Sequence, residues 1–149
     1  MLFKYAIAAL VAIIACVTGV PVEKRHELNE TVTYLGSQSS ILSGGAAAKG
    51  LVYTAGTVPN ATAIGTGIAN ETRSVINKLA VILEEAGTSW DYVLKTTVYL
   101  ANMSDYSAMN EVYGEMLPNP KPARTAIQVG RLPGNFSIEI EAIAAIPWH

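Results

Sequence analysis

The chain has 149 residues, enough for one domain with its own core and too few for two. Half the residues are apolar, 15% are charged and the mean hydropathy is +0.30, which excludes general disorder; a formal net charge of −2 leaves no positive surplus for a nucleic-acid surface. One cysteine, Cys16, and two histidines near opposite ends, His26 and His149, argue against an internal disulfide, a multi-Cys zinc site, a His-rich metal site and a Ser-His-Asp triad.

Lys4 precedes thirteen apolar residues, 5–17, and Thr18, Gly19 and Pro21 follow. A basic start, an apolar run and small residues are the layout of a secretory signal, expected over 1–19. Extended through Val22 the run reaches 18 residues, marginal for a spanning helix, so an uncleaved anchor is the alternative. Lys24-Arg25 resembles a convertase site and would end a short propeptide over 20–25. Cleavage there leaves 26–149, with 7 basic and 11 acidic residues and no thiol, suited to a disulfide-forming compartment. The expectation is a secreted product with no stable membrane insertion after the signal is removed.

Asn29, Asn60, Asn70, Asn102 and Asn135 each open an N-x-S/T triplet. Eight asparagines would give only about one such triplet by chance, so these five are candidate glycosylation sites on surface loops. Asn, Ser and Thr also favour turns, which is the plainer explanation for some of them.

Residues 26–45 are polar and rich in Ser and Gly, a lead-in to a regular domain over 46–149. Lys49–Thr57 has the β formers of a strand, stopped by Gly56-Thr57-Val58-Pro59. Over 68–86, Val75, Ile76, Leu79, Ile82 and Leu83 recur at helical spacing, and Gly87 sits where a C′ glycine belongs. Tyr92–Leu100 reads as a second strand, and Asp105 as the N-cap of a second helix through about Met116. Pro118, Pro120 and Pro122 then force an extended approach to a strand over 124–129. A turn over 130–135 leads to a last strand, 136–146. The order β-α-β-α-β-β, with room for one more strand between Thr33 and Gly44, specifies an α+β layer: helices on one face of a mixed sheet. No element covers the other face, and apolar residues there would argue for oligomerisation.

Arg124 follows a stiff Lys121-Pro122-Ala123 approach, so its guanidinium is suited to bidentate capture of a carboxylate or phosphate. Glu139 and Glu141 share one strand face, like charges about 7 Å apart. The last two strands, joined by a short turn, are expected to pair as a hairpin and bring Arg124 and Glu139 into one neighbourhood. A structural Arg–Glu pair at a subunit interface explains the same residues. Tyr113, Asn77, Asn110, Trp90 and Trp148 read as helix faces, packing and a chain end.

Several blocks carry a resemblance. Ala55-Gly56 with Val58-Pro59, Ala86-Gly87, VLKTTVY over 93–99, Asp105-Tyr106 with Asn110 and Tyr113, Pro122-Ala123-Arg124, and IEIEAIA over 138–144 together resemble the RidA family, also called YjgF. The likeness runs over about 46–147, in order and with family spacing. It implies a chorismate-mutase-like fold assembled as a homotrimer, with sheets lining a central barrel and pockets between subunits. It implies hydrolysis of reactive 2-imino acids, such as 2-iminobutanoate and 2-iminopropanoate, to 2-keto acids and ammonia, with no cofactor and no metal. By position, Arg124 would clamp the substrate carboxylate, Glu139 would position or deprotonate the attacking water, and Gly56 and Ala126 would contact substrate through backbone. Leu42 stands where the family has a tyrosine, Ala126 where a cysteine is common, and Thr57 where glutamine is usual. The loss of the tyrosine, and the export signal, fit a second reading: a secreted, non-catalytic binding or interaction protein with a repurposed pocket.

Overall fold

The computed structural model describes residues 31–148. The expected signal, the propeptide, Cys16, His26, Asn29 and His149 lie outside the described residues. Thr31 onward forms one compact unit: β1 (Thr33–Gln38), β2 (Ser43–Ala48), β3 (Leu51–Thr54), α1 (Ile68–Glu85), β4 (Val93–Leu100), α2 (Tyr106–Met116), β5 (Ala123–Gln128) and β6 (Ile138–Ala145). Short 3-10 turns precede β4 and α2. Two helices pack on one face of a six-stranded mixed sheet, the α+β layer expected.

The strand order is β1-β2-β3-β6-β4-β5. Among the described strands only β4 and β5 run parallel, and α2 supplies the crossover that a parallel pair requires. The expected hairpin of the last two strands does not form, because β4 lies between β5 and β6. β6 alternates fully buried residues along its length, which fits a central strand, whereas no residue of β5 is fully buried. The apolar pattern of β6 thus overrides the pairing preference of a local turn.

Of the amino-terminal strands, β1 fills the room left between Thr33 and Gly44, and the rest differ from expectation. From Thr33 the polar lead-in is part of the sheet, as β1 and the start of β2. Lys49 does not begin a strand: Lys49 and Gly50, both at positive φ, form the two-residue turn of the β2–β3 hairpin. β2 is SGGAAA, and its small residues have a packing cause. A Cβ on Gly45 would stand 3.3 Å from Ile82 Cγ2 of α1, so the helix lies close on this strand.

α1 buries Val75, Ile76, Leu79 and Leu83 against the sheet, as its spacing predicts. It ends in a Schellman motif: Thr88 N–H donates to Leu83 O (2.9 Å), Gly87 N–H to Glu84 O (3.0 Å), and Gly87 takes φ +75°. Asp105 is at the expected N-cap of α2, but its side chain makes no capping bond. Asn102 caps instead, accepting from Ser104 N–H (2.9 Å) in the preceding 3-10 turn.

Glu71 in the first turn of α1 is buried, with one carboxylate oxygen accepting from Gly65 N–H (2.8 Å) and the other from Ser137 N–H (2.6 Å). It clips the loop before α1 to the residue just before β6.

The face away from the helices carries several files of paired residues, two of which matter for the site. One runs Tyr34, Ala46, Tyr53, Ile143 and Lys95 across β1, β2, β3, β6 and β4. The other holds Glu139, Tyr99 and Ile127. Tyr34, Tyr53 and Ile127 are exposed there, and no described element covers them, the apolar character through which sheet faces associate.

Candidate functional site

The chain leaves α2 through Pro118-Asn119-Pro120-Lys121-Pro122. Lys121 Nζ donates to Gly114 O (2.8 Å) and Leu117 O (2.5 Å), satisfying carbonyls at the end of α2 and opposing its dipole. This anchors the start of β5 and with it Arg124.

Arg124 pairs with Thr96, and Thr96 with Ala142, so it projects on the helix face of the sheet. Its guanidinium carbon lies 4.6 Å from the Tyr113 ring centroid and 5.6 Å from that of Tyr106. Nη2 donates to Tyr106 Oη (3.3 Å), and Nη1 approaches Met109 Sδ (3.8 Å). Tyr113 is held in turn by a 2.7 Å hydrogen bond between its hydroxyl and Thr96 Oγ1. Burial raises the Tyr113 pKa, while Thr96 and Arg124 pull it down. Aromatic and sulfur neighbours fix the cation without neutralising it; among the described residues no carboxylate pairs with it. A cavity of about 400 Å³ opens beside it, lined by Asn110, Tyr113, Gly114, Lys121, Pro122 and Arg124. Tyr113 and Asn110, read from the sequence as helix-face residues, therefore belong to the surroundings of Arg124.

β5 is an edge strand. Val129 N–H donates to Leu100 O, which fixes the phase of its backbone: alternate residues Arg124, Ala126 and Gln128 turn N–H and C=O to the open edge. Among the described residues, Arg124 and Ala126 thus offer a guanidinium and unpaired backbone donors along one margin.

Glu139 projects on the other face, in file with Tyr99 and Ile127. Its Oε1 rests on Gly56: a Cβ there would come within 1.8 Å of it. Gly56 is thus needed for the close approach of a carboxylate. Desolvation, and then the charge of Glu141, push Glu139 above the usual glutamate range. Glu141 accepts from Tyr99 Oη (3.0 Å), whereas Glu139 has no hydrogen-bond partner among the described residues. Burial first, and then the Glu141 hydrogen bond, raise Tyr99.

The expected site residues therefore fall into two pairs, Arg124 with Ala126 and Gly56 with Glu139, on opposite sheet faces of one chain. The expected shared neighbourhood of Arg124 and Glu139 is not formed within the chain, because β5 and β6 flank β4 and do not pair. Tyr106, read in the sequence as part of a resemblance block without a role, and Met109, not singled out there, also hold Arg124; their spacing of three on α2 is the signal for both. No group of three His, Cys, Asp or Glu that could hold a metal occurs among the described residues.

Asn60, Asn102 and Asn135 are exposed outside regular helices and strands. Asn70 is also exposed, but it stands in the first turn of α1 and not on a loop, with its side-chain amide donating to Thr66 O (3.2 Å).

Residues 39–146 match the family model described as Endoribonuclease L-PSP. A RutC family protein of Pyrococcus horikoshii is 52% identical over 77 residues, which span 52% of this chain and 61% of that relative. The 2-iminobutanoate/2-iminopropanoate deaminase of Mus musculus is 42% identical over 78 residues, 52% of this chain and 58% of the relative. The solved structure of a YjgF-family protein from Neisseria meningitidis superposes with a TM-score of 0.74 at 27% identity, covering 80% of this chain and 98% of that one. With its fold, its Pro-Ala-Arg approach to β5 and a family match over most of the described residues, this chain belongs to the Endoribonuclease L-PSP, or RidA/YjgF, family.

Proposed function

We propose that this protein is a hydrolytic deaminase of reactive 2-imino acids, 2-iminobutanoate and 2-iminopropanoate among them, working as a homotrimer. One observation carries the reading: a guanidinium held by Tyr106, Met109 and Tyr113 without a carboxylate partner among the described residues, beside a cavity. That is a clamp for a small carboxylate. The name of the mouse relative supplies the reaction class.

Since Arg124 and Glu139 stand on opposite faces, the site is completed between chains. The β5 edge of one protomer, with Arg124 and Ala126, meets Gly56 and Glu139 of the next. The exposed Tyr34, Tyr53 and Ile127 give the open face a reason to associate. In the reaction, water adds to the iminium carbon and gives a proton to Glu139. The proton passes from Glu139 to the nitrogen, the carbon–nitrogen bond breaks to release ammonia, and the hydroxyl proton, taken up by Glu139 as the keto group forms, passes to that ammonia. The products are the 2-keto acid and ammonium. The electrophile is the substrate's own iminium, so positioning and charge stabilisation suffice.

Export and N-glycosylation at Asn29, Asn60, Asn70, Asn102 and Asn135 complete the proposal, supported by the apolar amino terminus and by the exposure of the four described asparagines. Hydrolysis of 2-iminobutanoate generated in situ tests the activity. The full chain should accelerate it, and Arg124→Ala should lose roughly 100-fold or more in kcat/KM. Parent-level turnover by Arg124→Ala refutes the clamp. Ligand binding without turnover by the parent favours the non-catalytic reading, which Leu42 at the family tyrosine position supports.

A further inference from the structure

A second cavity, about 340 Å³, lies between α1, the β1–β2 hairpin and the segment that follows β3. Leu42, Val58, Val81 and Ile82 give it apolar walls; Gly56 and Lys78 line it too. Lys78 is half-buried, and its Nζ donates to Val58 O (2.7 Å). No carboxylate pairs with Lys78 among the described residues. Arg73, on the same helix, is instead paired with Glu115 at 2.7 Å. An ammonium on a mostly apolar wall with two N–H groups uncommitted is costly to desolvate, and an incoming carboxylate offsets that cost. Gly56 joins this cavity to the Glu139 carboxylate that rests on it.

We propose that Lys78 holds a second carboxylate, so that the favoured ligands are 2-imino dicarboxylic acids of the 2-iminoglutarate type, and their 2-keto counterparts. The far carboxylate meets Lys78, the methylenes lie along Leu42 and Ile82, and the near end lies by Gly56. The turnover part of this inference rests on the imine-hydrolase reading; the binding part does not.

Calorimetry on the full chain with 2-oxoglutarate and 2-oxobutanoate tests the binding, and turnover of the two parent imines tests the chemistry. The parent should bind the dicarboxylate at least ~10-fold more tightly, as one added charged hydrogen bond allows. Lys78→Met should bring that ratio close to one, and Lys78→Arg should keep most of it, with thermal unfolding confirming that both variants fold. In turnover, the Lys78→Met defect should fall on KM for 2-iminoglutarate. Equal affinities in the parent, or an undiminished ratio in Lys78→Met, overturn the proposal. Hydrolysis of 2-iminobutanoate with no preference for the dicarboxylate sinks it alone and spares the hydrolase reading. Lys78-dependent 2-oxoglutarate binding with no imine turnover does the reverse.

Discussion

Arg124 and Glu139 stand on opposite faces of one sheet: Arg124 files with the buried Thr96 and Ala142, Glu139 with Tyr99 and Ile127. In their proposed roles of clamp and base, residues so separated can serve one substrate only across a boundary between chains. Arg124→Ala and Glu139→Ala protomers, each impaired alone, should therefore regain activity when co-assembled. Random mixing would rebuild about a quarter of the sites. Activity no greater than the sum of the two separate variants would show that the residues do not share a site.

Glu139 is raised above the ordinary glutamate value of 4.5 by desolvation and by Glu141. In the proposed role of base it must be ionised, and in the proposed assembly Arg124 of the next protomer opposes the upward push of Glu141, so Glu141→Gln should move the acid limb of the rate profile down. Stability follows the opposite sense. Between the unfolded and the raised folded pKa the native state binds more protons, so stability should fall as pH rises through that window. Glu139→Gln should flatten this dependence in thermal unfolding across acidic pH.

Gly56→Ala should separate folding from activity. The new methyl would collide with Glu139 Oε1, the end of a flexible side chain, so the fold can adjust by moving the carboxylate. Thermal stability should fall only slightly. Turnover should fall by about 10-fold or more, since small misplacements of a catalytic group are expensive.

Glu71→Ala removes the acceptor for Gly65 N–H and Ser137 N–H at a buried position. Two charged hydrogen bonds of this kind predict a loss of about 3 kcal/mol or more in denaturant unfolding. Glu71→Gln keeps one acceptor oxygen and should lie between parent and Glu71→Ala.

Much of this was legible in the residues. α1 was, because Val75, Ile76, Leu79 and Leu83 repeat at helical spacing and Gly87 marks the stop. The β1–β2 hairpin was faint: SGGAAA lacks β-branched side chains, and its smallness answers to Ile82 on a helix far along the chain. The placement of β5 was lost for a related reason. A short connection suggests a hairpin, but the burial demanded by Ile138, Ile140, Ala142 and Ala144 draws β6 into the centre. The chemical identity of Arg124 and Glu139 could be read from the sequence; which side of the sheet each faces depended on that order.

The open margin of β5 bears on how this protein can be handled. A strand with one row of amide groups unsatisfied accepts any extended polypeptide that reaches it, including another copy of itself. In the proposed homotrimer, a substitution that strips away a neighbour covering this margin should thus yield precipitate more readily than long-lived single chains. Expression yield and shelf life would then report quaternary integrity as directly as any sizing column.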